Sequence, residues 1–528
     1  MKLSSRNEEV DVTTQAPAPS GGDTIQGSKA INFAFRCISK IEVWGNKLPH
    51  PFWLFVVLSG VLVGLSAIFE AIGVAATKPD DGSVVAVKSL LSREGMSVIV
   101  GDVVENFASF PPLATILTTM LGIVIAEKSG LFDTVLKLTV TKVPARFTTF
   151  ALCYAGMIGH VAGDAAYVTL IPLGAIVFRA IGRSPILGAI IAFVSISAGY
   201  DASPSLTTTD ILLSTISTAA AHTIDPEAFV TPTSNYFFGL ASSVLISLVI
   251  TLVVELFLSK RPDLQVDEDY EDANKDLSAT EVNAKDIRAL KAAGLIALLL
   301  TIALIAALSF ESSPLRGEGN GILNSPVMTG MAGIIGLFFS LVGVTYGLVS
   351  GSYKKVGDVL PAMVEGFRSM APILVLFFAI SQFLAYFKWT GIGQVMAISG
   401  ATWFKEINAP GWAILLGIAI LISVMNLVLT SGSAMWALAA PVFIPMLMLL
   451  DIEPETTQAM YRVADSVTNC VTPMSPYFVM ALGFIQQYRK SAGIGTLASF
   501  TLPLAGVVWL AWISFFLLWY LLGLPFGF

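Results

Sequence analysis

Polar and apolar residues are grouped in long blocks along this chain. After a polar opening rich in Pro and Gly (NEEVDVTTQAPAPSGGDT), apolar runs recur near 52–76, 110–126, 147–163, 165–180, 185–200, 236–258, 289–309, 326–350, 372–387, 411–430, 434–450, 471–486 and 499–526. A helix needs about 20 apolar residues to cross a hydrocarbon core of about 30 Å, and a helix satisfies its backbone polar groups internally. The pattern therefore predicts an all-α polytopic membrane protein. The first 45 residues hold no apolar run suited to a signal peptide and read as a disordered cytoplasmic tail.

Two pairs of runs are too short and too close together to be ordinary spans. Those at 147–163 and 165–180 meet at Gly163, and those at 411–430 and 434–450 meet at Ser431-Gly432-Ser433. Each pair predicts a helical hairpin that enters and leaves on one face, over 146–180 and 411–450, which leaves about nine transmembrane helices. With the N-terminus in the cytoplasm, all but seven of the 30 lysines and arginines fall inside. The seven are Lys78, Lys88, Arg93, Arg316, Lys388, Lys405 and Arg462. An acidic cytoplasmic linker, 259–288 (with DLQVDEDYEDANKD), separates a first half, 46–258, from a second, 289–528.

The halves resemble each other. Gly163/Gly432, Pro172/Pro441, Pro185/Pro454 and Pro204/Pro473 coincide at an offset of 269, with Val194/Val463 and Ser197/Ser466 between them. Proline makes up about 5% of residues in proteins generally, so one offset over some forty positions gives roughly a tenth of a proline match by chance. A second block, Glu105-x-Phe107-x-Ser109-x-x-Pro112, matches Glu365-x-Phe367-x-Ser369-x-x-Pro372 at an offset of 260. With the topology above, the two hairpins enter from opposite faces. The halves are then inverted repeats, the arrangement associated with alternating access.

Ionisable side chains inside spans cost roughly 2.5–3.5 kcal/mol each on insertion scales, so those present should be useful. They gather at the hairpins and at two polar breaks. Asp164 stands at the first tip. Asp201 and Asp210 flank DASPSLTTTD in a broken helix over 185–210, and Arg462 and Asp465 precede Asn469 and Pro473 in a second over 462–486. Broken helices free backbone groups to hold a cation or an anionic substrate. Thr207, Thr208, Thr209, Asn469 and Thr472 would add oxygen ligands, with a sodium ion near Thr207, Thr209 and Thr472 as one arrangement; equally, the hydroxyls satisfy freed backbone groups. Arg462 suits a substrate carboxylate, with Asp210 or Asp465 carrying a proton, while an Arg462–Asp465 pair three residues apart on one helix is the structural alternative. Tyr167 and Trp436 sit at equivalent places beyond the tip glycines, where a ring could stack on substrate or simply pack. His160 reads as a packed hydrogen bonder. Glu70 and Glu255 fall near span ends.

Composition agrees with the pattern and removes other classes. The chain is 55% hydrophobic and 13% charged, with a mean hydropathy of +0.77 and a net charge of −7 centred on the acidic linker. Three cysteines and three histidines, all scattered, form neither a disulfide framework nor a zinc cluster. The phosphate loop, the dinucleotide fingerprint and the nucleophile elbow are absent from the sequence, so no catalytic role, cofactor or nucleic-acid partner is expected, and transport would be driven by an ion gradient of protons or sodium.

WGNKLPHPFWLF (Trp44 to Phe55), SAGYDASPSLTTTDILLSTIS (Ser197 to Ser217), TSGSAMWALAAPVFIPM and YRVADSVTNCVTPMSPYF resemble the AbgT family of bacterial transporters, and the similarity runs from about residue 40 to the end. The resemblance implies a homodimer of nine-span subunits in the bacterial inner membrane, similar to elevator-type transporters. Members handle p-aminobenzoyl-glutamate or, in one branch, export sulfonamide antimetabolites and p-aminobenzoate. Family positions important for transport match Asp210, Ser433, Trp436, Pro454, Arg462, Asp465 and Pro473. Where Asp201 stands, the family often has a small or polar residue. A sodium-coupled importer of dicarboxylates or other organic anions is the alternative, and a channel a further one.

Overall fold

The computed structural model describes residues 51–77, 82–141, 143–261, 264–267, 282–317 and 325–528. The expected N-terminal tail and most of the acidic linker lie outside these. Helix α1 (Pro51–Ala71) leads into a short antiparallel ribbon of β1 (Ala75–Thr77) and β2 (Val84–Ala86), which an all-α pattern does not foresee. Next come α2 (Pro111–Lys128) and α3 (Leu131–Thr141), meeting at a 58° bend. The first hairpin is α4 (Thr148–Gly159) and α5 (Ala165–Ala180), and the first broken helix is α6 (Pro185–Ala198) and α7 (Thr208–Ala221). Helix α8 (Tyr236–Leu256) closes this half. The second half runs through α9 (Ala284–Ser309), α10 (Met331–Ser350), α11 (Val359–Thr390) and α12 (Ile392–Glu406). Then follow a hairpin of α13 (Gly411–Asn426) and α14 (Gly432–Met448), a broken helix of α15 (Pro454–Ser466) and α16 (Pro476–Tyr488), and α17 (Ile494–Leu521).

Among the described residues six helices are long and apolar enough to cross a membrane, or seven if α2 and α3 count as one bent span. Lipid-compatible surface is plainest on α9, where Leu295, Leu298, Leu299, Ile302 and Ile305 are all exposed. The broken helices are different. Every residue of α6 is buried, and so is every residue of α15 except Glu455.

The repeated prolines occupy matching places. Pro185 and Pro454 sit in the first turns of α6 and α15, where a missing N–H costs nothing. Pro172 and Pro441 lie inside the second hairpin arms, and Pro204 and Pro473 in the two breaks. The packing matches as well. α6 packs on both arms of the first hairpin and α15 on both arms of the second; beyond the breaks the halves cross over, α7 onto α14 and α15, and α16 onto α5 and α6. The α5–α6 contact is very close: a Cβ on Gly188 would collide with the carbonyl oxygen of Gly174. A second group, α1, α2, α9, α10 and α11, packs together. From it α3 crosses to the first hairpin and α12 to α14, each after a left-handed glycine, Gly130 (φ 85°) and Gly391 (φ 73°).

Two boundaries differ from the sequence reading. The broken helices extend over 185–221 and 454–488 rather than 185–210 and 462–486. Hydropathy passes over PETTQAM and the Ser/Thr-rich continuation of α7 because their polar groups are satisfied by protein, not by apolar surroundings. The second hairpin also turns at 427–431, before Gly432, which is the first residue of α14. Gly163 does form the first tip, with φ 55° and ψ −130°, a conformation that residues with a Cβ rarely adopt.

Candidate functional site

The two breaks and the two tips converge. In the first break the chain leaves α6 at Ala198 and re-enters helix at Thr208, where Thr207 and Asp210 form a reciprocal cap. Thr207 N and Oγ1 each donate to Asp210 Oδ2 at 2.7 Å, and Asp210 N donates to Thr207 Oγ1 at 3.4 Å. The cap fixes the Asp210 carboxylate with Oδ1 turned towards the other half. There Arg462 Nη2 lies 2.8 Å away, on a side chain only 3% exposed. The geometry is that of an ion pair without a linear N–H···O bond. Arg462 therefore pairs across the two halves with Asp210.

A chain of side-chain hydrogen bonds continues from this pair. Arg462 Nε donates to Asn235 Oδ1 (3.1 Å), as does Gln458 Nε2 (2.9 Å). Ser217 Oγ donates to Gln458 Oε1 (2.7 Å), and Trp436 Nε1 donates to Ser217 Oγ (3.1 Å). Asn235 in turn donates to the backbone oxygen of Glu455 (2.9 Å). A connected polar network of this kind holds its members in one arrangement, here joining α7, α8, α14 and α15. Trp436 is fully buried and packs on Tyr461, ring centres 4.3 Å apart. In this conformation it is a wall, with its ring already covered.

Two carboxylates stand apart from this order. Asp201 is 4% and Asp465 1% exposed, and none of their four oxygens has a hydrogen bond of normal geometry. Tyr461, one turn before Asp465, sends its hydroxyl to Gly432 O instead (2.5 Å). The two acids belong to one junction: Asp201 N donates to Ser466 Oγ (3.2 Å), next to Asp465, and a Cβ added at Gly432 would meet Asp465 Oδ2 at 2.8 Å and the Tyr200 ring at 3.6 Å. Gly432 is thus needed for the approach of the Asp465 carboxylate to the second tip. Asn426, at the end of α13, donates to Asp465 O, Thr468 Oγ1 and Asn469 Oδ1. Thr472 Oγ1 donates to Leu427 O (2.7 Å), tying the tip to the second break.

The first tip is closed differently. The Tyr477 hydroxyl, from α16, donates to Asp164 Oδ1, and its ring stacks on Tyr167 with centres 4.0 Å apart and planes 6° apart. His160 is buried with Nε2 3.0 Å from Ile196 O.

The structure thus brings Asp201, Asp210, Trp436, Arg462, Asp465 and Asn469 to one region. Thr208 and Thr209 lie half-buried in the first turn of α7, and Ser433 Oγ is 3.5 Å from Ser431 Oγ. Thr207 and Thr472 have separate partners, one at the α7 cap and one at the second tip. Sequence reasoning missed Ser217, Asn235, Asn426, Gln458, Tyr461 and Tyr477. For Gln458 a signal existed: with Arg462 and Asp465 it recurs at spacings of four and three on a helix of low hydropathy, a polar stripe on one face. Asn235 and Tyr477 have no such local signal.

Two buried carboxylates, Asp210 and Asp201, lie within reach of one guanidinium, and Asp465 belongs to the same junction, so the site gathers more acid than base in a low-dielectric setting. Among the described residues no group of three His, Cys, Asp or Glu could hold a metal ion.

Residues 36–528 match the family described as "AbgT putative transporter family". The p-aminobenzoyl-glutamate transport protein of Escherichia coli (strain K12) is 34% identical over 488 residues, covering 92% of this chain and 95% of that protein. Two solved structures are similar throughout. The YdaH transporter of Alcanivorax borkumensis, whose structure is described as revealing an unusual topology, is 37% identical with a TM-score of 0.84, covering 91% of this chain and 100% of that one. MtrF of Neisseria gonorrhoeae, described as illuminating a class of antimetabolite efflux pumps, is 36% identical with a TM-score of 0.87, covering 92% and 97%. A match over nearly the whole chain, a close curated relative and two structures of the same overall path together make this multi-pass membrane protein a member of the AbgT transporter family, a family of transporters rather than enzymes.

Proposed function

We propose that this protein is an ion-gradient-driven secondary transporter of aromatic, carboxylate-bearing, folate-related compounds such as p-aminobenzoyl-glutamate and p-aminobenzoate, and that it exports sulfonamide-type antimetabolites. The observation that carries the reading is the Arg462–Asp210 pair set beside two buried carboxylates without hydrogen-bond partners. A substrate carboxylate competes with Asp210 for the guanidinium, which suits planar two-pronged recognition. A proton or sodium ion at Asp201 and Asp465 neutralises the junction, and only the neutralised junction passes through the apolar interior at tolerable cost. Names of the relatives support the substrate class.

In this reading the chain has nine spans and two opposed hairpins as inverted repeats, with a cytoplasmic N-terminus, in a homodimer of the bacterial inner membrane. The matching packing of the halves supports the repeat, and the crossing helices α3 and α12 suit a hairpin bundle that slides against the α1–α2–α9–α10–α11 group. The test is counterflow in proteoliposomes with labelled p-aminobenzoyl-glutamate, p-aminobenzoate, a sulfonamide and a dicarboxylate, under imposed proton and sodium gradients. Saturable, gradient-driven movement of the aryl carboxylates is expected. Unsaturable flux would indicate a channel, and a preference for the dicarboxylate with sodium would indicate an organic-anion importer. Maleimide labelling of single cysteines at positions 164 and 433 tests the hairpins: slow labelling that responds to substrate is expected, and rapid labelling of each from one side only would refute them.

A further inference from the structure

A cavity of about 460 Å³ lies between the two helix groups, within the ~300–1,000 Å³ typical of small-molecule sites. Phe110, Thr115 and Lys388, from the α2 and α11 side, face Thr215 and Thr218 of α7 and Pro441 of α14. None of Asp201, Asp210, Arg462 or Asp465 lines it, so it is distinct from the junction of the breaks.

Its formal charge is one-sided. Lys388 is the one Lys, Arg, Asp or Glu among the lining residues. Five of the lining hydroxyls donate to backbone carbonyls: Thr115 to Pro111 (2.9 Å), Ser214 and Thr215 to Ile211 (3.0 and 2.5 Å), Thr218 to Val230 (3.2 Å) and Ser381 to Phe378 (2.9 Å). Each such oxygen keeps acceptor capacity. Phe110, Phe229 and Leu384 supply apolar wall. One ammonium, several acceptors and aromatic walls complement a flat ring bearing a carboxylate and an N–H donor.

We propose that this cavity is a vestibule subsite for a small aromatic monoanion bearing an N–H group, with its carboxylate at Lys388 and its N–H on the α7 hydroxyl oxygens. The vestibule rests on the substrate class proposed above but not on the role of Arg462. Because its walls belong to both groups, an occupant bridges surfaces that must part if the hairpin bundle slides, so occupancy precedes the deep site.

The test uses Thr215→Cys in full-length protein lacking Cys37, Cys153 and Cys470 and carrying Arg462→Lys, which impairs the deep site while retaining its charge. Maleimide labelling at position 215 is followed with added p-aminobenzoate. Saturable protection is expected, and Lys388→Gln should raise the protecting concentration about tenfold, the effect of losing one charge-assisted contact. In protein with native Arg462, Lys388→Gln should raise KM for aryl carboxylates without lowering kcat, and leave an uncharged arylamine unaffected. Absent protection, or protection indifferent to Lys388→Gln, overturns the vestibule even where transport is normal. Protection in a protein that transports no aryl carboxylate overturns the functional reading and leaves the vestibule standing.

Discussion

Arg462 is the residue whose removal should be felt most. Its guanidinium lies 2.8 Å from Asp210, is only 3% exposed, and is also within electrostatic reach of Asp201. At an effective dielectric constant of about 20 the bare attraction across that distance is about 6 kcal/mol, much of it offset by desolvation. Removing one member of a buried pair generally costs about 3–5 kcal/mol because the other charge is left behind. The two single losses should differ. Arg462→Met leaves the buried Asp210 and Asp201 with no cation and should cost about 4–5 kcal/mol. Asp210→Asn leaves a guanidinium still facing Asp201 and bonded to Asn235 and retains part of the α7 cap, so about 2–3 kcal/mol is expected. The double variant should lose less than the sum by about 2 kcal/mol, since the charge stranded by each single change is then absent. Unfolding of the purified protein in detergent, followed by tryptophan fluorescence against denaturant, gives the three differences. Additivity within about 0.5 kcal/mol, or a larger loss for Asp210→Asn than for Arg462→Met, would refute the account of the pair.

Other perturbations separate the remaining parts of the site. Asp201→Asn and Asp465→Asn should each abolish gradient-driven transport, by removing a buried acid whose oxygens have no other hydrogen-bond partner; near-normal accumulation by both variants would remove them from coupling. Gly432→Ala places a methyl 2.8 Å from Asp465 Oδ2 and should impair transport at a stability cost of about 1–3 kcal/mol. Gly163→Ala meets no neighbour within 4 Å but must hold φ 55°, so it should destabilise by a similar 1–3 kcal/mol and leave ion dependence unchanged; an altered ion response would contradict this division. Tyr477→Phe keeps the stack on Tyr167 and loses the bond to Asp164, so a cysteine at position 165 should label faster while protein stability changes little, and an unaltered rate would show that the stack alone closes the first tip.

The block pattern of hydropathy was enough to establish a helical membrane protein, because lipid imposes one rule on every span, and the repeated prolines stand at matching places in the helices because proline acts on the backbone locally. The ionisable residues at the breaks stood out for the same reason: a charge within an apolar run is costly and therefore conspicuous. What sequence could not assign is partnership. Arg462 and Asp465 are three residues apart, yet Arg462 is paired with Asp210, 252 positions away, because the crossing of α7 over α15 brings the capped Asp210 to the guanidinium. The first two turns of α15, before Arg462, escaped the hydropathy reading, since their polar groups find partners within the protein. Asn235, which joins Arg462 to Gln458 and α8, carries no local pattern; its role follows from where four helices meet. Local chemistry decides which segments are helical and where they break, but which charges compensate one another and which remain bare is set by contacts between distant segments.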